Sequence, residues 1–207
     1  MPRPRTIDDE AVLDATERIV ERGGPAAVTF ASVAAEVGLA PATLVQRFGT
    51  KRELLLATTI RGWESIVDAL SREPDAHESP LEVLLETLAD LTSDVRTREA
   101  LANGLAFLHI DLSDPEFHAH AVTGATRMRD RIAELLSGAI SAGELVSKAD
   151  PQPLAGAILS TYNGALITWA MYGEGPVDDY VRSQVEFLLG AWRRTSSSRR
   201  STQPHRR

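Results

Sequence analysis

Four polar side chains between residues 43 and 51 carry groups that bind double-stranded DNA. The Gln46 amide can pair with the edge of adenine, and the Arg47 guanidinium can pair with that of guanine. Thr43 can contact a thymine methyl group or a phosphate, and Lys51 can bind a phosphate. Base contacts of this kind require a rigid element that fits the major groove, so the neighbouring sequence must supply one.

The residues around this group predict two short helices joined by a tight turn. Thr29 can N-cap the first helix. The apolar residues of that helix recur at helical spacing: Phe30, Val33, Ala34 and Val37. Gly38 supplies the positive φ of a sharp turn. Pro41 suits a first helical position, so a second helix should run from there to Phe48.

A third, longer helix is predicted to follow at once. Thr50 and Glu53 form a capping box, so this helix should begin at Lys51 and continue to about Arg72. An earlier helix is predicted from an apolar stripe that ends at two glycines. Its members are Val12, Leu13, Ala15, Ile19 and Val20, before Gly23 and Gly24. These elements define a predicted helix-turn-helix domain over residues 1–54.

This order of signals resembles the N-terminal domain of the TetR family of transcriptional repressors, most strongly over residues 7–60. The family's opening pattern is matched by Thr29, Phe30, Val33, Ala34 and Gly38. Its closing pattern is matched by Phe48, Lys51 and Leu54. Two positions depart from the family. Val45 stands where the family usually has a phosphate-binding tyrosine, and Val37 replaces a more usual alanine, so one phosphate contact should be missing.

The resemblance implies a ligand-responsive repressor that binds a palindromic DNA operator as a homodimer. The helix Pro41–Phe48 is then the recognition helix in the major groove. Its residues expected to face base edges are Ala42, Thr43, Gln46 and Arg47. Thr29 and Lys51 are expected to bind phosphates. Arg3 and Arg5 are expected to form an arm over the backbone or the minor groove.

The remainder of the chain is also predicted to be helical, which gives an all-α fold of about nine helices. The acidic stretch 73–79 is a predicted linker, and Ser79, Pro80 and Glu82 suggest a second capping box. Further helices are predicted at 98–110, from Asp114 to near 143, at 151–172, and from after Pro176 to about 192. Residues 55–194 form the predicted ligand-binding and dimerisation domain. Residues 195–207 form a basic tail predicted to be disordered.

The charge of the chain is divided along its length. The 207 residues have a net charge of -7, but residues 55–192 hold 9 basic and 21 acidic residues, net -12. Most of the acid would therefore face away from DNA. The chain has no cysteine, which excludes disulfides and thiolate metal sites. It shows neither a signal peptide nor a long apolar run, so a cytoplasmic location is expected.

The last two predicted helices carry a possible dimer interface. Small residues recur every four positions in the first of them: Gly156, Ser160, Gly164 and Thr168. Apolar residues of the last helix complete the predicted interface: Val185, Leu188, Leu189 and Trp192. Periodicity alone fits intramolecular packing of these faces equally well. The resemblance favours dimerisation, because TetR proteins dimerise through a four-helix bundle of these helices.

The resemblance also implies a ligand cavity between the two parts of the chain. The candidate lining residues are Trp63, Phe107, His109, Phe117, Met128, Tyr162 and Asn163. Each of them taken singly also fits the core or the surface. Because few are polar, the expected effector is a small apolar or aromatic molecule.

Two other classes of function are alternatives to a regulator: a metalloprotein or enzyme, and a binding or scaffold protein. His109 with Asp111, and His118 with His120, suggest a metal or catalytic site. Residues two apart on a helix point in divergent directions, so neither pair converges on one ion. We therefore expect no metal, no cofactor and no enzyme. The main alternative is a helical small-molecule-binding or scaffold protein whose helix-turn-helix is purely structural.

Overall fold

The computed structural model describes residues 7–75, 77–93, 95 and 97–194. Within these residues the protein is all-α, as predicted, and its one β-type contact is an isolated bridge between Leu145 and Arg193. The helices are α1 (Asp9–Ala27), α2 (Phe30–Val37), α3 (Pro41–Phe48), α4 (Lys51–Leu70), α5 (Pro80–Asp90), α6 (Arg98–Ser113), α7 (Pro115–Ser141), α8 (Pro151–Tyr172) and α9 (Val177–Leu189). The arm residues Arg3 and Arg5 and the basic tail lie outside the described residues.

Local capping signals define the helix-turn-helix as the sequence predicts. The Thr29 hydroxyl accepts a hydrogen bond from the Ser32 backbone N–H, and Thr50 with Glu53 forms a complete capping box. Gly38 ends α2 in the left-handed region, with φ 70° and ψ 31°. The helical path of α1 breaks at Gly24, where φ is 70° and ψ is 175°. These residues set the angles at which the first four helices meet.

The second predicted capping box forms only in part. Ser79 accepts a hydrogen bond from the Glu82 backbone N–H, but the Glu82 carboxylate forms an ion pair with Arg182 of α9. Glu144, from the turn after α7, accepts a hydrogen bond from the Leu81 N–H at 3.1 Å. Long-range partners therefore replace the local one, and they attach the start of α5 to α7 and α9.

The ends of several helices differ from the predicted ends by about a turn. The helix α4 ends at Leu70, α6 continues to Ser113, and α9 ends at Leu189. Beyond α9 the chain leaves the helical path, because the Trp192 carbonyl accepts a hydrogen bond from the Val146 N–H at 2.9 Å. This backbone pairing attaches the end of the chain to the turn between α7 and α8.

Two main hydrophobic cores lie along the molecule. The first joins α1–α4, and it includes the fully buried Leu44 and Leu54. Phe117 of α7 belongs to the same core and is 1 % exposed. The second core joins the end of α4 to α5, α7, α8 and α9. The predicted division at residue 54 therefore falls inside α4 and inside the first core, because Leu55 and Leu56 are also buried there.

None of the helices in the described part of the chain combines the length and the apolarity needed to cross a bilayer.

The crossing of α4 and α7 depends on one glycine. A Cβ atom added at Gly124 of α7 would overlap the indole ring of Trp63 in α4. We expect Gly124→Ala to force the two helices apart and to lower the free energy of unfolding by about 1–3 kcal/mol. Gly104→Ala in α6 is the control, because an added Cβ there meets no atom within 4 Å. Denaturant unfolding of both variants would measure the difference, and equal stabilities would contradict this close packing.

Candidate functional site

The surface of α3 presents part of the predicted base-reading set to solvent. Leu44 is fully buried and anchors the helix in the first core. Ala42 and Gln46 are exposed, and Thr43 is half-buried. Val45, at the position of the expected family tyrosine, is 48 % exposed. The face of α3 opposite its anchor is therefore free to approach another molecule, with the Gln46 amide as its free polar group.

The guanidinium group of Arg47, in contrast to the Gln46 amide, is bonded to other parts of the protein. Its Nε donates a hydrogen bond to Asp9 Oδ1 at 2.7 Å, and its Nη1 donates one to the Ile7 carbonyl at 2.9 Å. The Arg47 side chain is 25 % exposed. It therefore joins the end of α3 to the start of α1, and its contact with guanine stays a prediction. The partner lies 38 residues away, so no local sequence pattern could reveal it.

The two predicted phosphate-binding residues lie near the turn between α1 and α2. Lys51 Nζ donates a hydrogen bond to the Ala26 carbonyl at 3.2 Å. Thr29 is exposed, and its hydroxyl caps α2. The ammonium group thus lies beside the N-terminus of α2, where positive charge and free N–H groups favour an anion.

A cavity of about 680 Å³ lies between α1, α4, α6, α7 and α8. Three of the predicted lining residues border it: Trp63, Phe107 and Asn163. Most of the remaining wall is apolar and includes Val20, Ile66, Leu105, Leu108, Leu112, Val122 and Ile167. The volume suits a small organic ligand.

Four other predicted lining residues do not border the cavity. Phe117 is buried in the first core, and Met128 is 2 % exposed in the second. Tyr162 packs against the second core and a smaller apolar cluster, and burial raises the pKa of its hydroxyl. His109 is exposed on α6. For these four the lining role stays a prediction that the described cavity wall does not support, because helical spacing does not reveal which face of α6, α7 or α8 turns toward the cavity.

The ionisable groups of the cavity wall are mainly acidic, which sequence reasoning missed. It includes Glu17 and Glu21 of α1, Asp111 of α6 and His118 of α7. Burial raises the pKa of Asp111, and the charge of His118 acts in the opposite direction. Asp111 and His118 are seven residues apart, and both border the cavity near the corner between α6 and α7. Of the two pairs considered from sequence, His109–Asp111 and His118–His120, one member of each borders the cavity.

Arg52 joins the start of α4 to the start of α7. Its Nε and Nη2 bind the two carboxylate oxygens of Asp114 at 2.9 and 2.7 Å, and its Nη1 binds Glu116 at 2.8 Å. The guanidinium carbon also lies 5.5 Å from the centroid of the Phe117 ring. The Arg52 guanidinium holds the pKa of Asp114 below its ordinary value. A planar cation bound by two oxygens fixes direction as well as distance.

The predicted dimer residues divide into two groups. On α8, Ser160 and Gly164 are exposed, while Gly156 and Thr168 are half-buried. An added Cβ at either glycine meets no atom within 4 Å. Three residues of this face and of α9 that were not predicted are exposed: Ile167, Met171 and Phe187. Phe187 alone is 86 % exposed.

The α9 part of that prediction needs correction. Val185 and Leu189 are fully buried within the single chain, as members of the second core. Leu188 and Trp192 are half-buried and pack against the same core. These four apolar residues therefore pack within the protomer, which is the alternative to a dimer interface that periodicity left open. The free face of α9 is the one that carries Phe187.

Family models match both parts of the chain. The model described as bacterial regulatory proteins, tetR family, matches residues 12–58. The model described as BetI-type transcriptional repressor, C-terminal, matches residues 80–192, which is more than half of the chain. A comparison with curated protein sequences gives no match.

Solved structures of transcriptional regulators share the fold. A regulator from Saccharomonospora viridis in complex with choline is 20 % identical, with a TM-score of 0.72 over 88 % of this chain and 95 % of its own. SmeT, the repressor of the Stenotrophomonas maltophilia efflux pump SmeDEF, is 21 % identical, with a TM-score of 0.68 over 97 % of each chain. FadR from Bacillus subtilis in complex with stearoyl-CoA is 16 % identical, with a TM-score of 0.68 over 88 % and 98 %.

The family models and the helix-turn-helix geometry agree with each other and with the pattern in the sequence. They favour a regulator over a scaffold with a purely structural helix-turn-helix. The chain belongs to the TetR family of bacterial regulatory proteins, and it is a DNA-binding transcriptional regulator and not an enzyme.

Proposed function

We propose that this protein is a repressor that leaves its operator when a small, largely apolar effector enters the cavity. The observation that carries the proposal is that one helix, α4, lies next to the recognition helix and also borders the cavity. The first residues of α4 adjoin the recognition helix α3, and Trp63 in its second half borders the 680 Å³ cavity. A ligand that fits better when α4 is tilted must weaken DNA binding by the same coupling free energy.

The proposed DNA contacts follow the exposure of each side chain. Gln46 reads a base edge, with Ala42 and Thr43 beside it in the major groove. Thr29 and Lys51 bind phosphates on the flanking backbone. Thr29, Ala42 and Gln46 are exposed, whereas Thr43 and Lys51 are half-buried.

The proposed role of Arg47 differs from direct readout. In the free protein its donors are occupied by Asp9 and by the Ile7 carbonyl. Reading guanine would require that ion pair to break, so Arg47 acts first by holding the start of α1 against α3. Arg3 and Arg5 precede that anchored point in the sequence, and we retain for them the proposed role of an arm on the DNA.

The connection from cavity to DNA passes through the corner between α6 and α7. Asp111 and Leu112 border the cavity, and Asp114, two residues after Leu112, binds Arg52. A ligand that displaces this corner therefore pulls on the first turn of α4. Lys51 lies beside Arg52, so the same movement changes the position of a proposed phosphate contact.

The proposed dimer forms through the open faces of α8 and α9. Ser160, Gly164 and Met171 lie along α8, and Phe187 projects from α9. Small residues allow a partner helix to approach closely, and an exposed phenylalanine gains free energy when a partner covers it. Two linked heads then reach two half-sites about one turn of DNA apart.

The related structures support the effector role but differ in their ligands, which are choline in one and stearoyl-CoA in another. Another represses a multidrug efflux pump. The proposed effector class must therefore follow from the cavity of this chain. Its wall is mostly apolar and includes two aromatic rings, Trp63 and Phe107.

A gel shift with the DNA upstream of the protein's own gene tests the proposal directly. A shifted band that is sequence-specific, and that disappears when a cavity ligand is added, would support it. Binding to every DNA fragment alike would contradict operator recognition.

Base readout and phosphate binding should separate by mutation. We expect Gln46→Ala to cost about 1–3 kcal/mol of operator binding and to relax the preference at one position in each half-site. Lys51→Ala should weaken binding to all sequences alike and reduce the salt dependence by about one unit per subunit. Titrations of operator and random DNA at several salt concentrations would measure both effects. An equal loss of specificity in both variants would refute these roles.

A second prediction concerns the proposed dimer face. Gly164→Leu and Phe187→Glu should leave the protomer folded, because an added Cβ at Gly164 meets no atom within 4 Å and Phe187 is 86 % exposed. Both variants should sediment as monomers in analytical ultracentrifugation and lose operator binding. Ala119→Glu, an exposed position on α7, is the control and should stay dimeric. A dimeric Phe187→Glu variant with full DNA affinity would place the interface elsewhere.

A further inference from the structure

The cavity wall carries acidic groups with few basic groups to balance them. Glu17, Glu21 and Asp111 border the cavity, and its described wall contains neither lysine nor arginine. His118 is its one basic side chain. A space of this size with apolar walls and net negative charge selects ligands by charge as well as by size.

The charge of the first of these carboxylates, Glu17, is already balanced by an ion pair within the protein. Arg61 of α4 lies behind Glu17, with Nη2 at 2.5 Å from Glu17 Oε2. Arg61 also forms an ion pair with Asp14, the residue one turn earlier on α1. Glu17 therefore serves the packing of α1 against α4, and it is not available as the main partner of a bound charge.

Asp111 has no such partner. Its Oδ1 is buried and accepts no hydrogen bond from any described residue. Asp111 as a residue is half-buried, and Oδ1 is the oxygen that the fold encloses. A buried carboxylate oxygen without a donor costs free energy. A positively charged ligand group would offset this cost through its charge.

Two further observations favour a cation over a neutral ligand or an anion. The rings of Trp63 and Phe107 border the same cavity, and aromatic faces attract organic cations. Residues 55–192 carry a net charge of -12, so the potential around the cavity attracts cations and repels anions.

We propose that the effector is a lipophilic cation whose ammonium group lies beside Asp111 and whose apolar body lies along Trp63, Phe107 and the aliphatic wall. The inference rests on the proposed function, because it concerns the same cavity. It adds one formal positive charge to the apolar effector that we propose above.

Three ligands with the same ten-carbon chain test the charge directly: decyltrimethylammonium, decanol and decanoate. Isothermal titration below their micelle concentrations measures each affinity. We expect the cation to bind about tenfold or more tightly than the alcohol, and the anion to bind most weakly, since one ion pair in a partly buried site has this magnitude. Equal affinities, or tighter binding of decanoate, would overturn the inference.

The variant Asp111→Asn removes the charge and keeps the shape. It should lower the affinity for decyltrimethylammonium about tenfold and leave that for decanol unchanged. Asp68→Asn is the matched control, because Asp68 is an exposed carboxylate of α4 that does not border the cavity. An unchanged cation affinity in Asp111→Asn would overturn the inference even if the cation binds tightly.

The stability of the free protein gives a readout that needs no ligand. Burial raises the pKa of Asp111 above its ordinary value of 3.8, so the native state binds more protons than the unfolded state just above that value. The native state therefore loses stability as the pH rises through this window. Asp111→Asn should melt at a higher temperature than the wild type, by a margin that widens as the pH rises from about 4 to 7. Glu17, Glu21 and His118 face the same space in both proteins, so their titration largely cancels in the difference.

The outcomes separate this inference from the function on which it rests. Binding of none of the three ligands would overturn the inference, and the absence of sequence-specific operator binding in the gel shift would overturn the repressor function. Release of operator by decanol as effectively as by the cation would leave the repressor function standing and overturn only the charge. Preferential release by decyltrimethylammonium, reduced in Asp111→Asn but not in Asp68→Asn, would support the inference.

Discussion

The first turn of α4 is the constraint on which both halves of the molecule depend. The Thr50–Glu53 capping box fixes where this helix starts relative to α3, and Arg52 fixes its direction by binding Asp114 and Glu116 of α7. A capping box is local and survives any tilt of the helix, whereas the ion pairs reach across to a second element. The start of α4 is therefore firmly attached to the DNA-reading helices, while its orientation is set by the cavity side of the protein.

The division between what the sequence predicts and what it misses follows the range of each interaction. The bounds Pro41–Phe48 and Pro151–Tyr172 agree with the structure because proline and capping residues act within one turn. The pairing of Arg47 with Asp9 and the half-formed box at Ser79 depend on residues tens of positions away. No pattern within one helix could have indicated them.

The residues that line the cavity show the same limit of sequence-based prediction more clearly. Large apolar residues such as Phe117 and Met128 are equally good at filling a core and at lining a pocket, so residue type alone does not separate the two uses. Their burial depends on how α7 is rotated against its neighbours, which is a property of the whole fold. Asp111 is more informative, because a carboxylate oxygen that is buried without a donor is unfavourable in a core. Its significance becomes visible only when the cavity around it is seen.

In the proposed mechanism, the position of Asp111 joins ligand recognition to DNA release. It lies three residues before Asp114, at the end of α6, so a charge that binds Asp111 acts on the same corner that holds Arg52. A neutral ligand could fill the cavity and leave this corner unchanged, and it would then bind without affecting the operator. A cation at Asp111 contacts the corner itself, and it moves this corner to the extent that it binds more tightly when the corner is displaced. The residue that would select the effector is thus also the residue through which the effector would move α4.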